Sequence, residues 1–439
     1  MGKTIFLSFL GTNNYLECIY QFPDNQSVQT KYTQIAVIQK HINEINEFIF
    51  FLTEDAKKLN WEGETNLKSE LNKLNIDESK IKTVDIPNGF NNDDLLNIFT
   101  KLTISTPEQA NLVIDVTHSF RSLPITLSSV LEFLKKVKNV NIQHIYYGAF
   151  EVLGNPKDLQ GKPIEERVAP MLDITYLSAI QDWTTAVDHF LKFGNISKLK
   201  QLSETTIKPI LTKTKGQDQF ASKIRNIVYT LNDLLTAIYT CRSKTILEIF
   251  LKNKNNNKSK LDTLLEDLDY ILNNNDLLPQ LNEPFKKIKE KVISINDEKT
   301  LISSIKIVQW CIDFNWIQQG YTLLQENLRS FIMTVFNKDY NNRDERENLS
   351  KALNIISKNI PENEWGAENK DSIKYYVDQK DKLYELAKLF TDLSDFRNDI
   401  NHAGYRDNAI NSRTLVDGLN SFYEKALEEI ESFKINRLC

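Results

Sequence analysis

The spacing of hydrophobic positions along the 439-residue chain changes period once, close to residue 177. Before that point short apolar runs alternate with longer amphipathic stretches, the pattern of a parallel sheet covered by helices. The strand candidates are Thr4–Leu10, Glu47–Thr53, Ile81–Ile86, Asn111–Val116 and Ile142–Phe150, with helical patterns over Thr30–Ile42, Leu67–Leu74, Asp93–Leu102 and Leu123–Val137. Near-continuous apolar runs such as Leu112-Val113-Ile114 suit strands buried on both faces. From Ser178 onward the β-type runs almost vanish, and Leu, Ile and Phe recur at helical spacing with Lys, Glu and Asn between them. The expected fold is α/β plus all-α: a Rossmann-like domain over 1–177 and an all-helical domain over 178–439, with an insertion near 250–300. The polar stretches Asn253–Lys260 and Asn337–Asn348 read as loops between helices.

Charge narrows the range of partners. Lys and Arg number 54 against 59 Asp and Glu, a net charge of −5, so the chain lacks the broad positive field that drives sequence-independent nucleic-acid binding. Any nucleic-acid contact is then local. Cys18, Cys241, Cys311 and Cys439 are scattered without CxxC spacing, and no metal site is expected. No run approaches the roughly 18 apolar residues of a membrane span. The apolar start, Thr4–Leu10, is short and lacks a small-residue cleavage pattern, so it reads as a strand and the expected location is the cytoplasm.

Two polar loops stand at the ends of predicted strands. The first, Leu10-Gly11-Thr12-Asn13-Asn14-Tyr15, offers a turn-permissive glycine followed by a hydroxyl and two amides. It lacks the G-x-G-x-x-G spacing of dinucleotide-binding turns, which argues against a nicotinamide-dependent enzyme. The second is Asp115-Val116-Thr117-His118-Ser119-Phe120-Arg121-Ser122-Leu123-Pro124, leading from the fourth strand into a helix. Thr117, His118, Ser119, Arg121 and Ser122 can all bond phosphate or ribose, where a helix N-terminus adds partial positive charge. In the strand order 3-2-1-4-5-6 the first and fourth strands are neighbours at the topological switch point, and both loops face one crevice.

The second loop closely resembles the D-x-T-H-G-F-R-S-x-P sequence of CRISPR-associated Csx-type proteins, with Ser119 in place of the usual glycine. That resemblance implies a CARF domain, a Rossmann-like sensor whose dimer binds a cyclic oligoadenylate on its two-fold axis. It makes Gly11, Thr12, Asn13, Asn14, Thr117, His118, Ser119 and Arg121 the expected ligand-binding residues. The activator it implies is cyclic tetra-adenylate, with cyclic hexa-adenylate as the alternative ring size. Cleavage of the activator by the sensor itself is a secondary activity that the resemblance leaves open.

The second half holds one dense polar motif, Leu393-Ser394-Asp395-Phe396-Arg397-Asn398-Asp399-Ile400-Asn401-His402. Asn398 and His402 stand at i and i+4 on one helix face, with Arg397 beside them. An arginine supplies phosphate-directed donors and a histidine titrates near neutrality, the tools of RNA cleavage by 2′-OH attack. One Arg397 and one His402 are thin for base, acid and charge stabiliser together, whereas a symmetric dimer doubles both. The segment resembles the R-x4-H motif of HEPN ribonucleases, with Asn398 at the frequent polar position after the arginine.

The resemblance therefore implies a CARF–HEPN architecture: a cyclic-oligoadenylate-activated, metal-independent endoribonuclease of type III CRISPR defence. It would cut single-stranded RNA with little sequence selectivity, as a homodimer or higher symmetric oligomer, with catalytic residues Arg397, Asn398 and His402. The competing reading is a non-enzymatic nucleotide sensor whose helical domain recruits a partner. His41 and His144 are expected to be structural, and Trp183, Trp310 and Trp316 to pack helix interfaces.

Overall fold

The computed structural model describes residues 2–63, 66–118, 123–159, 161–253, 257–274, 279–297, 300–366 and 370–435. The chain divides into two compact units, Met1–Ala179 and Ile180–Cys439. No helix among the described residues is long and apolar enough to cross a membrane.

The first unit is built on an eight-stranded mixed sheet. Its strands are β1 Thr4–Leu10, β2 Cys18–Gln21, β3 Ser27–Thr30, β4 Glu47–Leu52, β5 Ile81–Asp85, β6 Asn111–Asp115, β7 Asn141–Gly148 and β8 Val168–Asp173. They lie in the order β3-β2-β8-β7-β6-β1-β4-β5. The five strands read from the sequence are β1, β4, β5, β6 and β7, and they pair in parallel as β5-β4-β1-β6-β7. That is the expected 3-2-1-4-5 order, with β1 beside β6 at the switch point.

Residue parity explains why the central strands are apolar on both faces, with Ser8 of β1 and Asp115 of β6 as buried polar exceptions. In β1, Phe6 and Leu10 join Phe48, Phe50, Leu52 and Val113 in a core on one face. Ile5, Leu7 and Phe9 join Ile49, Phe51, Leu112 and Ile114 in a core on the other. Every residue of β1 is buried.

Three strands were not expected. β2 and β3 form a short antiparallel hairpin with alternating burial, turning through Asn25 at φ 67°. β8 runs antiparallel to β7 and parallel to β2, and it contains Pro170. A proline mid-run reads as a non-strand, because it removes a ladder donor. Here Pro170 still accepts from the Ala149 amide at 2.9 Å.

The second unit is helical, and its buried side chains form one continuous core from Trp183 to Ile430. Residues of 260–293 belong to it, including Leu261, Leu264, Leu268, Phe285 and Ile288. The stretch read as a loop over 337–348 is a loop only as far as Asn342. The Asn342 side chain caps a helix over Arg343–Lys358 by accepting from the Glu345 amide at 3.2 Å. The polar run that suggested a loop is the exposed first turn of that helix.

Gly320, in the helix Ile317–Val335, permits a close crossing with the helix Ser412–Ile435. A Cβ at this position would collide with the Leu419 side chain and stand 3.2 Å from Cys311 Cβ. Gly320→Val is therefore expected to destabilise the second unit by about 1–3 kcal/mol through overpacking. Differential scanning calorimetry checks this, and an unchanged melting temperature would contradict the close-packing account.

Candidate functional site

The first-unit loops are organised by one carboxylate. Asp115 ends β6 fully buried, and it accepts from Ser8 Oγ of β1 at 3.1 Å and from Thr33 Oγ1 at 2.9 Å. It also takes the Thr117 amide at 3.0 Å and the Thr117 hydroxyl at 2.6 Å, closing a tight turn just past the strand. The Thr117 oxygen in turn accepts from the Gly148 amide at 2.8 Å, at the end of β7. Thr117 thus has its proton and an acceptor site committed inside the protein, and it shapes the loop from within.

The Gly11–Asn14 loop at the end of β1 is held from two sides. Asn60, a buried side chain from the helical turn Lys57–Trp61, donates to Gly11 O at 2.9 Å and Asn13 O at 3.0 Å. The Tyr15 hydroxyl accepts from the Gly11 amide at 2.9 Å. A Cβ at position 11 would lie 2.9 Å from that hydroxyl and 3.5 Å from His118 Cβ, so glycine is required for this approach. Thr12, Asn13 and Asn14 are exposed, with their side chains open to a ligand.

His118 joins the two loops. Its ring lies 4.3 Å from that of Tyr15, tilted by 54°, and its buried Nε2 has no hydrogen-bond partner among the described residues. Burial pushes its pKa below the ordinary histidine value, opposed by the Asp115 carboxylate. Gly11, Thr12, Asn13, Asn14, Thr117 and His118 are therefore brought to one end of the sheet. Ser119 and Arg121 lie outside the described residues. Tyr15, Asn60 and Asp115 were not singled out from the sequence as site residues. Tyr15, directly after the polar loop, and Asp115, at the head of the second motif, carried local signals, whereas Asn60 arrives from a distant turn.

In the second unit, Arg397 lies four residues before the end of the helix Lys380–Asn401. Its Nη1 donates to Gln325 Oε1 at 2.8 Å and stands 3.7 Å from Glu326 Oε1, both on the helix Ile317–Val335. Ser394, one turn earlier, accepts from Gln325 Nε2. Glu326 also meets Arg346 Nη2 at 2.6 Å and Arg329 Nη1 at 3.1 Å, so three guanidinium groups share one carboxylate.

His402 is the exposed C-cap of the Arg397 helix, its amide bonded to Asn398 O at 2.9 Å. Just beyond it Ala403 and Gly404 adopt φ 53° and 74° and break the helix. Five positions separate Arg397 from His402, roughly 140° of turn on a helix, so the arginine faces the neighbouring helix while the histidine stands at the open end. Asn398 is exposed. Gln325, Glu326, Arg329 and Arg346 escaped the sequence reading, because on a helical wheel they look like an ordinary polar stripe.

Residues 5–151 match the family model described as the CARF domain of the CRISPR system endoribonuclease Csx1. The amino-terminal unit is a CARF domain. Over 211 residues the chain is 27% identical to the "CRISPR-associated protein MJ1674" of Methanocaldococcus jannaschii, which covers 47% of this chain and 30% of that protein. The chain thus spans under a third of the length of that relative. Among solved structures it is similar to Enterococcus italicus Csm6 bound to cyclic hexa-2′-fluoro-hexa-dAMP, at 10% identity and a TM-score of 0.27. That alignment covers 98% of this chain and 100% of the other.

Within the CARF domain, removing the Asp115 carboxylate strands four donated hydrogen bonds, so Asp115→Ala is expected to destabilise it by about 3 kcal/mol or more. Urea unfolding followed by tryptophan fluorescence measures this, and a loss below the noise would contradict the keystone role. His118 adds a pH dependence of definite sign. Its pKa is lowered on folding, so its contribution is fully present above about pH 6.5 and is lost as pH falls and the unfolded chain takes up the proton first. His41, also lowered by burial, acts in the same direction. His118→Gln is expected to flatten the fall in stability between about pH 6.5 and 5. A slope equal to wild type would show that His118 is not among its sources.

Proposed function

We propose that the CARF domain senses a cyclic oligoadenylate and that the helical unit is a HEPN ribonuclease which this ligand switches on. The observation that carries the sensing half is the meeting of the Gly11–Asn14 and Thr117–His118 loops at the β1/β6 switch point of a CARF domain. A cyclic oligoadenylate is a ring of phosphates, riboses and adenines. The exposed side chains of Thr12, Asn13 and Asn14 offer donors and acceptors to the riboses and bases, and Gly11 gives close backbone access. Ser119 and Arg121 complete the proposed set, with phosphate as the partner proposed for Arg121. The helix Leu123–Val137 begins just beyond them and favours an anion at its N-terminus.

For the nuclease half, the support is that Arg397, Asn398 and His402 occupy the last turn and C-cap of one helix, with Arg397 turned toward Gln325 and His402 exposed at the end. In this reading His402 moves the proton of the attacking 2′-OH or of the leaving 5′-oxygen, and Arg397 stabilises charge on the phosphorane. The attacking group is the RNA's own hydroxyl, so no metal is needed to generate it. A two-fold dimer supplies a second His402 and Arg397, which lets acid and base be separate residues. The family whose CARF domain matches is named for an endoribonuclease, which agrees with this reading. Ligand closing the sensor dimer would bias the helices that carry Arg397 and His402, provided it binds the active arrangement more tightly.

The test is fluorogenic cleavage of single-stranded RNA by the full chain, in EDTA, with cyclic tetra-adenylate, cyclic hexa-adenylate or neither. Cyclic tetra-adenylate is expected to raise the rate at least tenfold, on the order of what a coupling of 1–3 kcal/mol gives. His402→Ala and Arg397→Ala are each expected to abolish the ligand-stimulated rate. Tight ligand binding with equal, negligible cleavage by wild type and His402→Ala would leave a sensor without nuclease activity.

A further inference from the structure

Arg397 is held in an unusual electrostatic setting. Its nearest carboxylate, Glu326, approaches only to 3.7 Å, because that group is already engaged by Arg346 at 2.6 Å and Arg329 at 3.1 Å. Arg346 is locked in place by further bonds to Ser330 Oγ at 2.8 Å and to Tyr340 O at 2.9 Å. The Arg329 guanidinium lies 5.2 Å over the Phe390 ring, on the same helix as Arg397. The close hydrogen bond to Arg397 comes instead from a neutral group, the Gln325 amide oxygen at 2.8 Å. The Gln325 amide nitrogen is turned to Ser394, which fixes which end of the amide faces the arginine. Glu326 is thus divided among three guanidinium groups, with Glu347 acting on Arg329 from farther off, and the group that orients Arg397 carries no charge.

We propose that Gln325 is a positioning residue for Arg397, aiming its guanidinium through a neutral acceptor so that the arginine keeps an uncompensated charge for an RNA phosphate. This rests on the reading of Arg397 as the arginine of a ribonuclease site. Arg329 and Arg346 serve the same end by occupying Glu326, which would otherwise close on Arg397 as a bidentate pair. A guanidinium in such a pair has its fork and its charge already satisfied, and it offers a phosphate much less.

The decisive variant is Gln325→Glu, which keeps size and shape but places a carboxylate within hydrogen-bond reach of Arg397. With cyclic tetra-adenylate and fluorogenic single-stranded RNA, kcat is expected to fall about 10- to 100-fold, the scale on which one charge-stabilising donor counts. KM and the melting temperature are expected to stay near wild type. Gln325→Met, which keeps the bulk but removes the acceptor, is expected to give a smaller fall in kcat, and it serves as the readout if the glutamate variant is unstable. Wild-type kcat in both variants, alongside an inactive Arg397→Ala, would overturn the positioning role and leave the ribonuclease reading intact. Full activity in Arg397→Ala would instead remove the reading on which the proposal rests.

Discussion

The buried carboxylate of Asp115 is the constraint on which the arrangement of the CARF domain turns. It sits with no exposure at the end of β6, and its partners come from β1, from the start of the helix Thr33–His41, and from the turn that follows β6. A charge so placed is tolerated only if its oxygens are saturated with donors. Satisfying it fixes the relative height of β1 and β6 and turns Thr117 inward, and Thr117 then bonds the end of β7. The turn that carries Thr117 is set by this network, while Asn60 and Tyr15 set the Gly11 loop, before any ligand arrives.

The second unit solves a related problem with opposite signs. Three arginines and one glutamate lie between the helices Ile317–Val335, Arg343–Lys358 and Lys380–Asn401. Even with Glu347 acting on Arg329, positive groups outnumber carboxylates there, and the surplus favours solvent or a polyanion. Burial works against the charged form of Arg329, while Glu326 opposes that effect. A net charge of −5 for the chain coexists with this local excess, because position rather than total decides where phosphate is attracted.

Much of the CARF domain was legible in the sequence, because strands buried on both faces are apolar at nearly every position, as in β1 and β4, where Thr4, Ser8 and Glu47 are the exceptions. The strands that escaped notice pair at one side of the sheet: β2 and β3 are four residues each, and β8 holds a proline. Gly11, Thr117 and His118 could be read because their chemistry lies in two contiguous loops. Asn60 and Gln325 could not, since each acts on a partner 49 or 72 positions away and has no local signature. The loop read over 337–348 failed for a clear reason: a capped, solvent-facing first turn has a loop's composition.

Asn60 has a further consequence for recognition. By spanning Gly11 O and Asn13 O it fastens the first loop to an element that follows β4, and Tyr15 fastens the same loop through the Gly11 amide. The backbone there is set when the domain folds, so little conformational freedom remains to be lost when a ligand enters. Ordering an equivalent free loop would cost about 1–2 kcal/mol per residue at the moment of association. A ligand entering there can then be held by few contacts, and the lifetime of the complex is governed by those contacts and not by refolding of the loop.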